Sequence, residues 1–350
     1  MSQTLIIRAD ANTQIGTGHL MRCLALAQAW QAQGAKAIFI TACTSDSLRR
    51  RLADEDFQVI GLPRPYPDPA DWELTSKVLA THPGTWVVLD GYHFRPSYQL
   101  CVKDSGHPLL VIDDMAHLDH YYADVVLNQN IHAEQLDYSC EPYARMLLGS
   151  RYVLLRREFW PWREWQREIP PVAHKVLVTL GGADPDNQTF KAISALRQAE
   201  IDGLEAMVVV GASNPHFREL EKAMRHWPLS IRLVRNTSNM PALMTWADLA
   251  VSSGGTTCWE SAFLRLPTVV GQIAQIEDLL VSGLKQLGLF YNAGWFARLS
   301  TEHLAEVIKR CIQDKKWRIR MSRLGHQTVD GLGGARILET INYNYIRQGR

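Results

Sequence analysis

Short apolar runs alternate with amphipathic stretches along this chain, and the alternation begins again near its middle. The first series covers residues 4–7, 37–41, 86–90, 109–113 and 125–128, with a helical stretch at 19–33. The second series covers residues 175–180, 207–210, 231–234, 249–251 and 268–270. Runs of this length between helical segments are typical of buried parallel strands with crossover helices. The sequence therefore predicts an α/β protein with two successive doubly wound parallel sheets.

A segment rich in aromatic and charged residues interrupts the alternation. Residues 156–171 read RREFWPWREWQREIPP and close on two prolines. We interpret this segment as the junction between an N-terminal domain, residues 1–160, and a C-terminal domain, residues 172–350. The length of 350 residues suits two domains, because about 150 residues form one domain with its own core.

Charge, cysteine content and hydropathy exclude several classes of protein. The chain has 37 Lys and Arg against 36 Asp and Glu, so it lacks the basic surplus of a nucleic-acid binder. Its 6 cysteines form no CxxC pair, and its first residues lack the basic flank and apolar stretch of a signal peptide. No apolar run approaches the ~18 to 20 residues of a membrane-spanning helix. We therefore expect a cytoplasmic protein without a nucleic-acid partner or a membrane span.

Three glycine turns stand where predicted strands end, which is the edge at which such sheets bind ligands. Their sequences are GTGH at 16–19, GGAD at 181–184 and SSGGTT at 252–257. Glycine lets the backbone approach a ligand, and a helix start presents unpaired N–H groups. The first turn lacks the third glycine of a dinucleotide fingerprint, and the last lacks the lysine of a P-loop. The turns therefore predict ligand contacts without a dinucleotide cofactor.

Each turn also has a purely structural interpretation. His19 could cap the helix that follows it, and Asp184 is expected to cap the next helix in its own half. Glu260 lies three residues after Thr257, so it could complete a capping box or accept hydrogen bonds from a ribose. Spacing alone leaves these alternatives open.

Seven motifs in one order carry a family resemblance that extends from about residue 4 to residue 340. They are GTGHLMR at 16–22, DGY at 90–92, IDD at 112–114, NQN at 128–130, GxxYxxLRxEF at 149–159, LGGADPDN at 180–187 and SSGGTTxWE at 252–260. Together they resemble the UDP-2,4-diacetamido-2,4,6-trideoxy-β-L-altropyranose hydrolases of pseudaminic acid biosynthesis. That family is related to the GT-B glycosyltransferases.

The resemblance implies a GT-B-like pair of Rossmann-like domains facing a cleft, with UDP held mainly by the second. It implies that water attacks the anomeric carbon with inversion and that UDP leaves without a metal or a cofactor. His19 matches the family's general base, a role that a helix N-terminus favours because it disfavours the imidazolium form. Tyr92 matches a tyrosine of the sugar site. The residues expected to bind substrate are Gly16, Gly18, Arg22, Gly182, Gly254, Gly255, Thr256, Thr257, Glu260 and Gln275.

One position departs from the family pattern. Ile276 stands where the family has an active-site asparagine, and isoleucine makes no side-chain hydrogen bond. Either Gln275 or Glu277 takes over this role, or the sugar pocket and the substrate differ.

Two other functions are compatible with the motifs. A GT-B glycosyltransferase would hand the sugar of a UDP-sugar to a hydroxyl acceptor, and His19 would serve it equally as the base. A nucleotide-sugar-binding protein without catalysis is disfavoured by the presence of both His19 and Glu260. The pair His117 and His120, with Asp113 and Asp114 nearby, could be drawn as a metal site, but the implied reaction needs no cation and we expect none there.

Overall fold

The computed structural model describes residues 4–12, 15–211, 214–225, 230–235 and 237–348, and only the backbone of 276 and 343–348. The chain divides into two compact units. The first comprises Met1–Arg157 and Gly331–Arg350, and the second comprises Glu158–Asp330. Each unit contains one parallel sheet with helices, so the predicted α/β class with two Rossmann-like domains is confirmed. Within the described part of the chain, no helix combines the length and apolarity that crossing a bilayer requires.

The first unit is built on a seven-stranded sheet. Its elements are β1 (Thr4–Ala9), α1 (Gly18–Gln31), β2 (Lys36–Thr41), α2 (Asp46–Ala53), β3 (Gln58–Gly61), α3 (Pro69–Ala80), β4 (Trp86–Asp90), α4 (Pro96–Asp104), β5 (Leu109–Ile112), β6 (Val125–Asn128) and β7 (Arg145–Leu148). The strand order is β3-β2-β1-β4-β5-β6-β7, and neighbouring strands are parallel. The order reverses between β1 and β4, which makes this pair the topological switch point of the sheet.

Strand β1 explains why the apolar runs are uninterrupted. Leu5 and Ile7 join the apolar cluster that includes α1, while Ile6 between them joins the cluster on the other face. Successive side chains of a strand point to opposite faces, so a strand covered by helices on both sides is apolar throughout.

The second unit repeats this arrangement with six strands. Its elements are β8 (Lys175–Thr179), α5 (Gln188–Gln198), β9 (Glu205–Val210), α6 (Phe217–Met224), β10 (Ser230–Arg235), α7 (Met240–Trp246), β11 (Leu249–Ser253), α8 (Thr257–Phe263), β12 (Thr268–Gln272), α9 (Asp278–Leu287), β13 (Tyr291–Trp295), α10 (Thr301–Gln313) and α11 (Lys315–Thr328). The order is β10-β9-β8-β11-β12-β13, again parallel. The switch point of this sheet therefore lies between β8 and β11.

The last helix, α12 (Gly333–Gln348), belongs to the first unit. It packs on α1, and Ile337 and Ile341 join the same apolar cluster as Leu24. A Cβ on Gly333 would lie 2.2 Å from the carbonyl oxygen of Val153, so the helix begins in close contact with that unit's backbone. The sequence-based limit of 172–350 for the second domain therefore fails for residues 331–350, because the apolar face of α12 is buried in the first unit.

Candidate active site

Charged side chains from three loops meet at the switch point of the first sheet. Asp10 follows β1, Asp90 ends β4 and Asp114 follows β5, while His19 and Arg22 lie at the start of α1. All of them except Asp114 are at most 7% exposed. Doubly wound sheets bind their ligands at this edge, so the cluster is the candidate active site of the first unit.

A buried carboxylate holds His19. The Nδ1 atom of His19 lies 2.6 Å from Oδ1 of Asp90. Burial by itself would raise the pKa of Asp90, but the charges of Arg22 and His19 and their hydrogen bonds outweigh it and hold that pKa below its usual range. The ionised carboxylate accepts the proton on Nδ1, so in the neutral ring Nε2 carries the free lone pair.

Arg22 joins two carboxylates of the cluster. Its Nε and Nη2 lie 2.7 Å from the two oxygens of Asp90, and its Nη1 lies 2.6 Å from Asp114. Nη2 of Arg22 also lies 3.2 Å from Nδ1 of His19. Both nitrogens are closer to Oδ1 of Asp90, at 2.7 Å for Nη2 and 2.6 Å for Nδ1, and both donate to that oxygen. The sequence predicts that Arg22 binds substrate. In the structure its guanidinium orients Asp90 and Asp114, and substrate contact stays a prediction.

Tyr92 contacts His19 directly and also binds a carboxylate of the same cluster. Its ring meets the imidazole edge-on, with centroids 4.7 Å apart. Its hydroxyl donates to Asp114 at 2.6 Å, and Asp114 also accepts from the side-chain amide of Asn130 at 2.6 Å. Burial and the charge of Asp114 raise the pKa of Tyr92, so the phenol keeps its proton. The hydroxyl oxygen is then available to accept a hydrogen bond from water or from a ligand.

Asp10 is occupied by the protein itself. It accepts from Arg8 at 2.5 and 2.8 Å, from the backbone N–H of Ala42 at 2.6 Å and from His93 at 3.0 Å. Arg8 is fully buried and pairs also with Asp71. These bonds fix the end of β1, because an unpaired buried charge would be costly.

Gly16 and Gly18 form the turn through which the chain enters α1. Gly16 has φ of +78° and donates its N–H to the carbonyl of Asn12 at 2.9 Å, so this N–H serves the turn. Gly18 is the first residue of α1, one position before His19. The turn therefore fixes the position of His19 at the start of the helix. Ligand contact by Gly16 or Gly18 stays a prediction.

At the switch point of the second sheet, glycine backbones lie close together. A Cβ on Gly181 would lie 3.7 Å from Oγ of Ser253, which joins the loops after β8 and β11. A Cβ on Gly211 would lie 2.4 Å from the carbonyl oxygen of Gly182. The second approach requires glycine at position 211, whereas the first is an ordinary contact. The GGAD turn that contains Gly182 therefore lies beside Ser253 of the SSGGTT loop through Gly181.

The buried carboxylate of Glu277 accepts hydrogen bonds from N–H and O–H groups in and near that loop. It accepts from the backbone N–H of Ile273 at 2.8 Å and also from those of Ala274 and Gly254 and from the hydroxyl of Ser253. Burial outweighs these bonds and raises the pKa of Glu277. Sequence reasoning treats this residue as a possible replacement for the family asparagine. In the structure it faces the loop backbone, whereas Gln275 is exposed and the side chain of Ile276 lies outside the described residues.

Two capping predictions have different outcomes. Asp184 accepts from the backbone N–H groups of Gln188 and Thr189 at 2.8 and 2.9 Å, which confirms its role at the start of α5. Helix α8 begins at Thr257, and the residue in the N-cap position is Thr256, whose side chain makes no capping hydrogen bond. The N-cap therefore lies one residue before Thr257, the position that the capping-box interpretation requires. Glu260 is half-buried on the first turn, and Gly255, Thr256 and Thr257 are half-buried as well.

The two histidines of the loop after β5 point to different partners. His117 faces Asp113 and the backbone of Tyr92, whereas His120 faces Ser139 and Glu141. Among the described residues, no three His, Cys, Asp or Glu side chains are grouped so that they could hold a metal ion.

Sequence reasoning missed Asp114 and Asn130 as site residues, and it names Asp90, with Asp10 and Glu277, only as a substitute base should His19 prove to be a cap. The first three of these residues lie in quoted motifs, but their roles depend on contacts with His19, Arg22 and Tyr92. Their position at the ends of three predicted strands is the signal that could have found them.

Three relatives are similar in sequence. The spore coat polysaccharide biosynthesis protein SpsG of Bacillus subtilis is 22% identical over 333 residues, 95% of either chain. The UDP-2,4-diacetamido-2,4,6-trideoxy-β-L-altropyranose hydrolase of Campylobacter jejuni is 26% identical over 272 residues, 75% of this chain and 88% of that protein. An uncharacterized protein of Methanocaldococcus jannaschii is 24% identical over 273 residues, 76% of this chain, and the chain spans only 55% of that relative's length. No protein-family model matches the chain.

Solved structures share the whole architecture. MurG of Acinetobacter baumannii superposes with a TM-score of 0.66 at 14% identity, covering 98% of this chain and 100% of MurG. The protein has the GT-B fold. A second GT-B neighbour, the calicheamicin glycosyltransferase CalG4, gives a TM-score of 0.63 at 15% identity and covers 98% of both chains. The resemblance inferred from the motifs to the altropyranose hydrolases is confirmed by the match to the Campylobacter jejuni protein, and the solved structures confirm the predicted GT-B-like fold.

Proposed function

We propose that this protein hydrolyses a UDP-linked diacetamido-trideoxy sugar at its anomeric carbon and releases UDP and the free sugar. The observation that carries the proposal is the 2.6 Å contact between His19 and Asp90 at a switch point of the GT-B fold. The named reaction of the Campylobacter jejuni relative supports the substrate class. The sugar would then serve pseudaminic or another nonulosonic acid for a surface glycan, and we assign the reaction to the cytoplasm.

The proposed chemistry is a single displacement. Nε2 of His19 takes a proton from water while the water oxygen forms a bond to the anomeric carbon. The bond from that carbon to the diphosphate oxygen breaks on the opposite side, which gives inversion. Asp90 stabilises the imidazolium that forms and keeps the ring in the tautomer that can act as a base.

Neighbouring residues support this step. The hydroxyl of Tyr92 donates to Asp114, so its oxygen is free to orient the water or a sugar substituent. Arg22 fixes both Asp90 and Asp114. His19 and Tyr92 are thus the proposed catalytic residues, and Arg22 has a positioning role.

We assign UDP to the second unit on the strength of the motif resemblance. Gly182 and the residues Gly254 to Thr257 would offer backbone and hydroxyl donors to the diphosphate, and Glu260 would accept from the ribose hydroxyls. These donors carry the charge of the leaving diphosphate, so the proposed mechanism uses no metal.

A GT-B glycosyltransferase with a hydroxyl acceptor is the second candidate. The observation in its favour is a cavity of about 430 Å³ in the first unit that adjoins Tyr92. Tyr66, His93 and Phe94 also line it, and an aromatic, partly polar cavity of this size could hold an acceptor.

Turnover of the UDP-sugar in buffer, with and without candidate acceptors, tests the proposal. The wild-type protein is expected to release UDP and free sugar without an acceptor, and early NMR spectra should show the inverted anomer. His19→Asn should lower turnover by ~10² to 10⁴, the usual contribution of a general base, with unchanged UDP affinity. His82→Asn, a change in a histidine that bonds within its own turn, is the matched control. Sugar release only in the presence of an acceptor would establish the transferase, and near-normal turnover by His19→Asn would reject the assigned base.

A further inference from the structure

His117 lies between two groups that only accept hydrogen bonds. Its Nδ1 is 2.5 Å from Oδ2 of Asp113, and its Nε2 is 3.0 Å from the carbonyl oxygen of Tyr92. An ionised carboxylate and a carbonyl oxygen have no proton to give. Both ring nitrogens must therefore carry a proton, and only the imidazolium form satisfies both contacts.

The carboxylate beside His117 is itself held in its charged form. Asp113 accepts from the backbone N–H groups of Met115 and Ala116 at 2.9 and 2.6 Å. Burial would raise the pKa of Asp113, but His117 and these N–H groups lower it. The hydrogen bond to Asp113, against the opposing effect of burial, raises the pKa of His117.

His117 also contacts an aromatic ring and lines a cavity with other titratable groups. The ring meets the ring of Tyr92 edge-on, with centroids 5.8 Å apart. Asp113 belongs to the same loop as His117, and Tyr92 belongs to the loop after β4. The other titratable groups that line the same cavity are Tyr66, His93, Arg95 and Asp119.

We propose that His117, as an imidazolium, is a positioning residue that fastens the backbone of Tyr92 to the loop after β5. Tyr92 is the point through which this contact reaches the site, because its ring touches His19 and its hydroxyl binds Asp114. A neutral His117 has one N–H, and the charge of Asp113 holds that proton on Nδ1, so the bond from Nε2 to the carbonyl of Tyr92 is the one given up. That bond is the link between the two loops, and it is then lost. The consequence for turnover rests on the proposed function, whereas the protonation state and the link do not.

The direction of the pH dependence follows from these contacts. A group whose pKa is raised by folding stabilises the folded arrangement fully below its unfolded pKa, about 6.5 for histidine. That stabilisation is lost as the pH rises through the raised pKa. We therefore expect an alkaline loss of the ordered site.

Nitrogen NMR of the full chain with ¹⁵N-labelled histidine tests the protonation state without any substrate. The resonances of His117, identified by their absence in His117→Gln, should show two protonated ring nitrogens at pH 6.5 and titrate above that value. A single neutral tautomer at pH 6.5 would overturn the proposal. The same spectra should show shifted resonances of His19 in His117→Gln. They should be unmoved in His120→Gln, a change on the same loop that affects contacts with Ser139 and Glu141.

Kinetics then test the link to turnover. His117→Gln keeps a side-chain donor but no charge, and kcat/KM should fall about 10- to 100-fold, as small misplacements in a site produce. The alkaline limb due to His117 should disappear in this variant. UDP affinity, and the thermal midpoint measured above the pH at which the NMR spectra show His117 losing its proton, should stay close to wild type. His120→Gln should behave as wild type. A wild-type pH profile in His117→Gln would contradict the proposal. Absence of all UDP-sugar turnover in the wild type would reject the proposed function and leave the NMR result standing.

Discussion

The two switch points of this protein share a topology and differ in chemistry. In both sheets the first strand of the unit lies beside the fourth, and the loops after these two strands meet. In the first unit Asp90 ends the fourth strand, and His19 and Arg22 lie at the start of the helix that follows the first strand. In the second unit the two loops carry glycines and hydroxyls, and the buried carboxylate of Asp184 accepts from backbone N–H groups, as does that of Glu277 after β12. One scaffold therefore supports a cluster of buried charges and a loop of backbone donors, and the loop sequence decides between them.

The two sites also depend on their residues in different ways. A cluster of buried charges is stable only while each charge has its partner, so loss of one group disturbs all the others. A loop that offers backbone donors depends on the close approach of its glycine backbones, and most side-chain substitutions leave its N–H groups in place. Substitutions in the first unit should therefore have larger effects than those in the second.

Asp90→Asn should have the largest effect. The amide can donate to Nδ1 of His19, which favours the tautomer with its proton on Nε2 and removes the base. Turnover should fall by about 10⁴, the loss known for a serine-protease triad with the wrong tautomer. Steady-state kinetics measure this, with the exposed Asp104→Asn as a control. A loss smaller than 10-fold would mean that Asp90 does not orient the base.

Glu260→Ala should have an intermediate effect confined to nucleotide binding. Loss of a charge-assisted hydrogen bond to the ribose should weaken UDP binding by ~1 to 3 kcal/mol. Calorimetric titration with UDP measures it, and Glu306→Ala on the exposed face of α10 is the matched control. An unchanged Kd would remove Glu260 from the nucleotide site.

Glu277→Gln should change the pH dependence of stability, on top of a constant loss because its amide nitrogen cannot accept from the loop donors. Because folding raises the pKa of Glu277, the wild type loses stability as the pH rises from the ordinary glutamate value, about 4.3, through the raised one. The glutamine variant cannot ionise there, so its thermal midpoint should gain on the wild type between pH 4.5 and pH 7. Parallel midpoints across that range would show that the carboxylate is not destabilised in the loop.

Removal of divalent ions should leave turnover unchanged. The proposed leaving-group contacts are N–H and O–H donors, so turnover after exhaustive dialysis against EDTA should equal the untreated rate. Loss of turnover that one divalent ion restores would reject the metal-free mechanism.

The sequence predicts the central strands well, but of the four edge strands it predicts only β10. Strands such as β4 and β6 are buried on both faces and read as apolar runs. The sequence pattern predicts no bounds for β3, β7 and β13, because these edge strands are only partly covered and have mixed composition. Hydrophobic periodicity reports burial, and it weakens where burial is incomplete.

The candidate site shows the same limit in another form. His19 and Tyr92 can be chosen from local motifs. The partners of Arg22 lie 68 and 92 residues away, at Asp90 and Asp114, and no local spacing encodes such contacts. The return of α12 to the first unit is likewise a long-range contact.

That return sets an order of events during synthesis. Residues 331–350 leave the ribosome only after all of the second unit, yet Ile337 and Ile341 fill the core of the first. The unit that is synthesised first is therefore the last to be completed. Until α12 is made, part of the apolar surface of α1 stays exposed to solvent. A nascent chain of this kind has a long interval in which a chaperone can bind that surface.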